Sequence, residues 1–144
     1  MNVEKWLEQV GKLDELINAK LEERQRLIEI ALDISPRVPD GMPPSNTGVV
    51  SQKMQNAVNN LVDLERQINK LIDEYVDYKQ EVVAILEKLP KEQYGVLHRY
   101  YIRYMTWEQV AEDMGYSRQQ VWRIKKKSLK NLESVIECYI GHVI

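Results

Sequence analysis

The chain is predicted to be all-α, with a long, coiled-coil-like antiparallel helical hairpin over residues 1–88 and a C-terminal helix-turn-helix over residues 89–144. Three observations carry that expectation. Apolar residues upstream of Pro90 recur at helical and heptad spacing. Four of the five prolines and two of the six glycines fall between Ile34 and Gly48, a stretch through which no regular element can run. Two S/T-x-x-Q capping boxes, Thr106 with Gln109 and Ser117 with Gln120, stand on either side of Gly115.

The first helix is expected over about 3–33, where Trp6, Val10, Leu13, Ile17, Leu21, Ile28 and Leu32 form one apolar stripe between charged residues. The second is expected over about 51–89. Met54, Ala57, Leu61, Leu64, Ile68, Leu71, Tyr75, Tyr78, Val82, Ile85 and Leu89 alternate there at heptad spacing, the pattern of a coiled-coil seam. At 1.5 Å per residue these helices would be roughly 45 Å and roughly 60 Å long, so a hairpin covers only part of the second. Val58, Val62, Ile72, Val76, Val83 and Leu86 widen its stripe beyond what one partner helix needs. Either a second subunit or the C-terminal module is expected to cover the excess. The connecting segment, loop 34–50, exceeds the usual 2–8 residues between bundle helices; it is either mobile or a docking segment, and mobility is the favoured reading.

In the segment from Thr106 to Lys130, Gly115 can take the left-handed conformation that closes a helix after Met114. The second capping box then restarts the chain as another helix. At about 100° per residue, Val121, Ile124, Ser128 and Leu132 fall on one side of that helix, and Gln119, Trp122, Arg123, Lys126 and Lys130 on the other. From Ser117 to Lys130 there are six cations (Arg118, Arg123, Lys125, Lys126, Lys127 and Lys130) and no acid. A solvated face normally mixes both signs, so the bias points to a polyanion, and the layout is that of a helix-turn-helix that reads double-stranded DNA. Ser117, Lys126, Lys127 and Lys130, with the backbone N–H groups near Thr106, are cast as phosphate contacts that fix register. Lys125 lies nearest the packed side and is expected to snorkel outward rather than bind DNA.

The charge distribution agrees. Residues 1–90 hold eleven Lys/Arg and sixteen Asp/Glu, a net of −5, whereas residues 91–131 hold nine and four, a net of +5. The whole-chain net is only −2, so positive potential is concentrated on the C-terminal module.

Leu89 to Leu132, LPKEQYGVLHRYYIRYMTWEQVAEDMGYSRQQVWRIKKKSLKNL, resembles the C-terminal promoter-reading domain of the sigma-70 type, region 4, in which a Pro-started helix precedes the helix-turn-helix. The whole chain, with its helical hairpin, Pro/Gly-rich break and C-terminal module, is similar to phage-encoded transcriptional regulators of the RinA/ArpU type. That resemblance implies regulation of phage or prophage late genes from sites beside their promoters, in a bacterial cytoplasm, with RNA polymerase as a possible contact. The resemblance to the sigma-type domain implies that Arg118, Gln119, Trp122 and Arg123 touch bases. Arg suits guanine and Gln suits adenine by bidentate hydrogen bonding. Trp122 departs from the charged or polar reader common in sigma-type domains, and two roles stay open for it: contact with a thymine methyl, or packing on a neighbouring side chain.

A regulator of this kind gains from being a dimer, because two modest half-site contacts combine into one strong, spaced site. A homo-oligomer, with a dimer favoured, is therefore expected through the N-terminal helices; the alternative is a monomer whose hairpin folds back on its own DNA-binding module. The tail, Ser134 to Ile144, is apolar enough to be packed, with Val135, Ile136, Tyr139 and Ile140 extending the apolar side of the last helix. Dimerisation and docking on the N-terminal helices are both open for it. Six of the eight tyrosines (Tyr75, Tyr78, Tyr94, Tyr100, Tyr101 and Tyr104) stand at helical spacings that suit core and interface positions.

No enzyme is indicated. His98 and His142 lack companions at metal-ligand spacing, no phosphate-cradling loop or nucleophile motif appears, and neither cofactor nor metal is expected. Each histidine reads as a surface or partly packed side chain. The one cysteine, Cys138, lies among apolar residues, where a buried inert thiol is the usual case; it permits neither a disulfide within the chain nor a Cys-based zinc site. No signal peptide and no membrane-length apolar run is found. The alternative function is a phage DNA-packaging protein of the small terminase type, which also joins a helix-turn-helix to oligomerising helices. In that family the DNA-binding module usually comes first, the reverse of the order here.

Overall fold

A computed structural model describes residues 2–34 and 47–143 and is all-α. Its five helices are α1 (Val3–Ile34), α2 (Thr47–Leu86), α3 (Lys91–Leu97, continued by a π-helical turn at His98–Ile102), α4 (Trp107–Met114) and α5 (Arg118–Val143). They form the antiparallel hairpin and the C-terminal helix-turn-helix expected from the sequence. Residues 35–46, most of the Pro/Gly-rich connection, lie outside the described residues.

The chain divides into two compact units, Met1–Asp14 with Glu74–Ile144, and Glu15–Asp73. The second is a stretch of the hairpin alone. Ile17 of α1 and Ala57, Leu64 and Ile68 of α2 are its buried apolar residues, and Lys20 Nζ donates to Gln67 Oε1 at 3.1 Å across the pair. Leu32 is 65% exposed, so the apolar stripe of α1 stops short of the helix end.

The first unit holds the main core. Val3, Leu7 and Val10 of α1 meet Val82, Ile85, Leu86 and Leu89, then Leu97, Tyr101 and Ile102, and finally Leu132 and Ile136 of α5. Tyr78 OH donates to the Trp6 carbonyl at 2.6 Å, and the two rings meet edge to face at 6.4 Å. Burial pushes the Tyr78 hydroxyl up to about 12, with the Glu81 charge adding to it. α2 ends at Leu86, three residues before the expected Leu89. Lys88 N and Leu89 N bond back three residues, and Pro90 disfavours helical backbone in the residue before it. Leu89 is buried all the same.

The excess apolar residues of α2 divide into two groups. Leu86 is fully buried and Val83 half-buried in the core shared with α5, whereas Val58, Val62, Ile72 and Val76 remain exposed. Within the tail, Ile136 is buried and Val135 half-buried in the same core, while Tyr139 is exposed with Lys88 Nζ over its ring at 4.6 Å. The side chain of Ile140 lies outside the described residues, as does that of His142.

Two expectations are corrected here. Cys138 is exposed: two residues beyond buried Ile136 it is turned about 200° around α5, away from the core. Tyr104 is also exposed, because the chain leaves the π-helical turn at Arg103 and Tyr104 adopts φ 57, so helical spacing no longer places its ring. That left-handed conformation costs about 1–2 kcal/mol in a non-glycine residue. It is held by a 3.0 Å bond between the Tyr104 and Tyr75 hydroxyls.

Two polar groups are buried with partners. Ser128 Oγ donates to the Ile124 carbonyl one turn back. Asn131 Nδ2 donates to Gln93 Oε1 at 2.9 Å, tying α5 to α3. Asn131→Ala would leave the Gln93 oxygen buried without its donor. The variant should lose about 1–3 kcal/mol of unfolding free energy in chemical denaturation.

His98 stacks on Tyr94 at 5.1 Å. Burial, then the charges of Arg103, Arg99 and Lys79, hold its pKa below 6.5, with Glu87 opposing. The folded state thus binds this proton more weakly than the unfolded chain does. The His98 contribution is fully favourable above about 6.5 and is lost as pH falls from there through the lowered folded value. The urea midpoint should therefore drop between ~pH 7 and ~pH 5, and less so in His98→Gln.

Candidate nucleic-acid interface

The turn between α4 and α5 is built from local hydrogen bonds. Thr106 Oγ1 accepts from Gln109 N at 3.2 Å while Gln109 Oε1 accepts from Thr106 N at 3.0 Å, a complete capping box at the start of α4. Ser117 and Gln120 repeat it for α5 at the same two distances. Between them Gly115 sits at φ 69, ψ 30. Tyr116 N bonds to Ala111 O and Gly115 N to Glu112 O, the paired bonds of a Schellman cap.

Packing then orients the two helices. Val96 of α3, Val110 and Ala111 of α4 and Val121 of α5 form a small core, with Met105, Met114 and Ile124 around it. Trp107 stacks on Tyr100 with ring centroids 3.7 Å apart and planes at 11°. Arg99 joins α4 to the π-helical turn: its Nε donates to Asp113 Oδ2 at 2.6 Å and a terminal nitrogen to the Gly95 carbonyl at 3.0 Å. The hydrogen bond from Arg99 holds the Asp113 carboxyl below the usual carboxylate range.

On the outer side of α5, Arg118, Gln119, Trp122 and Arg123 line one open depression, so the four residues assigned to base contact come together in space. All four are exposed. Arg118, the first residue of α5, is paired at 2.9 Å with Glu108 of α4, both side chains being largely in solvent. Such a pair contributes about 0–1 kcal/mol, so Arg118 can exchange it for a nucleic-acid acceptor at small cost. Trp122 is 55% exposed, and Lys126 Nζ stands over its ring at 3.7 Å. Lys126 thus packs on part of the indole, while much of it stays accessible.

Among the residues assigned to phosphate, Lys126, Lys127 and Lys130 are exposed on α5. Thr106 and Ser117 use their hydroxyl oxygens as cap acceptors. Each hydroxyl keeps its proton to donate. Lys125, expected to snorkel outward, is half-buried, with its Nζ over the Trp107 ring at 4.7 Å.

Residues 85–133 match the family model Sigma-70, region 4. The chain thus carries a sigma-70 region 4 domain, a DNA-binding helix-turn-helix rather than a catalytic fold, from the end of α2 through most of α5. Domains of this kind bind DNA and can contact RNA polymerase. No curated protein and no solved structure matches the chain. Among the described residues, no helix is long and apolar enough to cross a membrane, and no group of three or more His, Cys, Asp or Glu side chains could hold a metal ion.

The Glu108–Arg118 pair and the seat of Lys125 on Trp107 escaped the sequence reading. Both join residues across the turn rather than at i, i+4 spacing, so no single-helix pattern signals them. Gly115 supplies the left-handed residue of the turn: a side chain there meets open space but keeps φ 69. Gly115→Ala should therefore lower stability by about 1–2 kcal/mol through backbone strain, with helical content by circular dichroism unchanged below the transition.

Proposed function

We propose that the protein is a sequence-specific transcriptional regulator that binds double-stranded DNA through α5 and acts beside promoters. The observation that carries this reading is the grouping of Arg118, Gln119, Trp122 and Arg123 in one exposed depression on a helix-turn-helix that matches sigma-70 region 4. Arg118 and Arg123 read guanine edges, Gln119 reads adenine, and Trp122 lends its exposed ring to a thymine methyl. Thr106, Ser117, Lys126, Lys127 and Lys130, with the first-turn amides of α4, grip phosphates on either side and set the register.

The division of labour we propose runs from a helical hairpin over 1–88, which serves oligomerisation, to a DNA-binding unit over 89–144. A homodimer places two such units on spaced half-sites. Following the RinA/ArpU resemblance, the targets are late genes of a phage or prophage in a bacterial cytoplasm, and the sigma-like module touches RNA polymerase there.

Selection of bound fragments from the source genome by the purified protein, at physiological salt, tests the reading. It should return one or a few promoter-proximal sites, and these should be lost with the double variant Arg118→Ala, Arg123→Ala. Singly, either substitution should cost about 1–3 kcal/mol on the selected site and relax its sequence preference. Lys130→Ala should instead weaken all DNA alike and reduce the slope of log K against log salt by about one. Fragments recovered without sequence preference would point to packaging, and tight binding by all three variants would overturn the assignment of α5.

A further inference from the structure

Beside its buried seam, α2 carries a second line of positions displaced by one residue, occupied by Val58, Val62, Glu65, Asn69 and Ile72. All five lie in the Glu15–Asp73 unit, and all are exposed. The displacement turns this line about 100° around the helix from the seam, so it is a separate face and not the fringe of the hairpin core. Val58, Val62 and Ile72 are 47%, 43% and 38% exposed. Helix propensity does not explain them, since β-branched side chains are weaker helix formers than the Lys, Arg, Gln or Glu that would suit a solvated site. Nearby outer positions of α2 are indeed polar: Asn59, Asp63, Arg66 and Lys70.

The line is nearly the same read in either direction. About a two-fold axis crossing the helix at Gln67, an antiparallel second copy sets Val62 opposite Ile72 and Glu65 opposite Asn69. The central pair is complementary, because the Asn69 amide can donate to the Glu65 carboxylate, and symmetry supplies that bond twice. A parallel copy would instead press Glu65 against its own counterpart in the middle of an apolar line, a like-charge contact made worse by desolvation.

We propose that this line is a self-complementary surface on which a second copy of the chain docks antiparallel, α2 against α2. It gives the dimer of the proposed regulator a definite surface and orientation, and it rests on that reading only for its use.

Orientation can be read by disulfide trapping of the full chain in a Cys138→Ser background. Val62→Cys and Ile72→Cys proteins, purified separately, mixed and mildly oxidised, should give mainly a covalent heterodimer joining position 62 to position 72. Equal or better linking within each variant alone would mean parallel packing and overturn the proposal. So would a monomeric mass for the parent protein by sedimentation at micromolar concentration. The exposed site permits a second check: Val62→Glu with Ile72→Glu should raise the dimer dissociation constant on the order of 100-fold, with helical content unchanged. An unaltered constant would also overturn it. A monomer that still selects specific DNA sinks this surface alone, whereas a trapped dimer that selects none sinks the regulator alone.

Discussion

The outer face of α5 depends on the burial of its inner one. Val121, Ser128, Leu132 and Ile136 are each 5% exposed or less, and they attach the helix along its length to α3, α4 and the helices of the hairpin in the same compact unit. That attachment decides which residues face outward. A cationic helix without such an anchor would have no fixed face; with it, Arg118, Gln119, Trp122 and Arg123 point together into solvent. Ser128, in the middle of the buried row, is tolerated because its hydroxyl bonds within the helix and needs nothing from its neighbours.

A second constraint is aromatic. Tyr100, Trp107 and Lys125 come from the π-helical turn, α4 and α5, and meet in one stack with an ammonium above it. Flat rings in contact fix separation and tilt together, which suits a motif whose two helices must hold one crossing geometry. Lys125 is thereby part of the packing between α5 and α4. Lys126 does something intermediate, covering part of Trp122 while remaining exposed itself. Rotation of the helix thus gives the three lysines different surroundings, Lys125 half-buried on Trp107 and Lys126 and Lys127 exposed.

The hairpin and the C-terminal module are joined more closely than chain order suggests. The start of α1 and the end of α2 belong to the same compact unit as α3, α4 and α5, and Leu86, Leu97, Leu132 and Val10 share one core. The sigma-70 region 4 match likewise begins inside α2, at residue 85.

Much of this was determined by local sequence. The capping boxes at Thr106 and Ser117 and the glycine between them act over three or four residues, so the two helix starts and the turn were legible without any tertiary information. The buried face of α2 was legible for the same reason, since periodicity in one helix fixes which face is apolar. What periodicity does not contain is the partner of each face. Leu86 lies fully buried in the core that also holds residues of α1 and α5, while Val62 is exposed, although both read as excess apolar residues. Cys138 and Tyr104 fell outside the core for related reasons, one by helix rotation and one by a left-handed backbone turn. Pairings such as Glu108 with Arg118 and Gln93 with Asn131 join different helices, and their geometry exists only once those helices have packed.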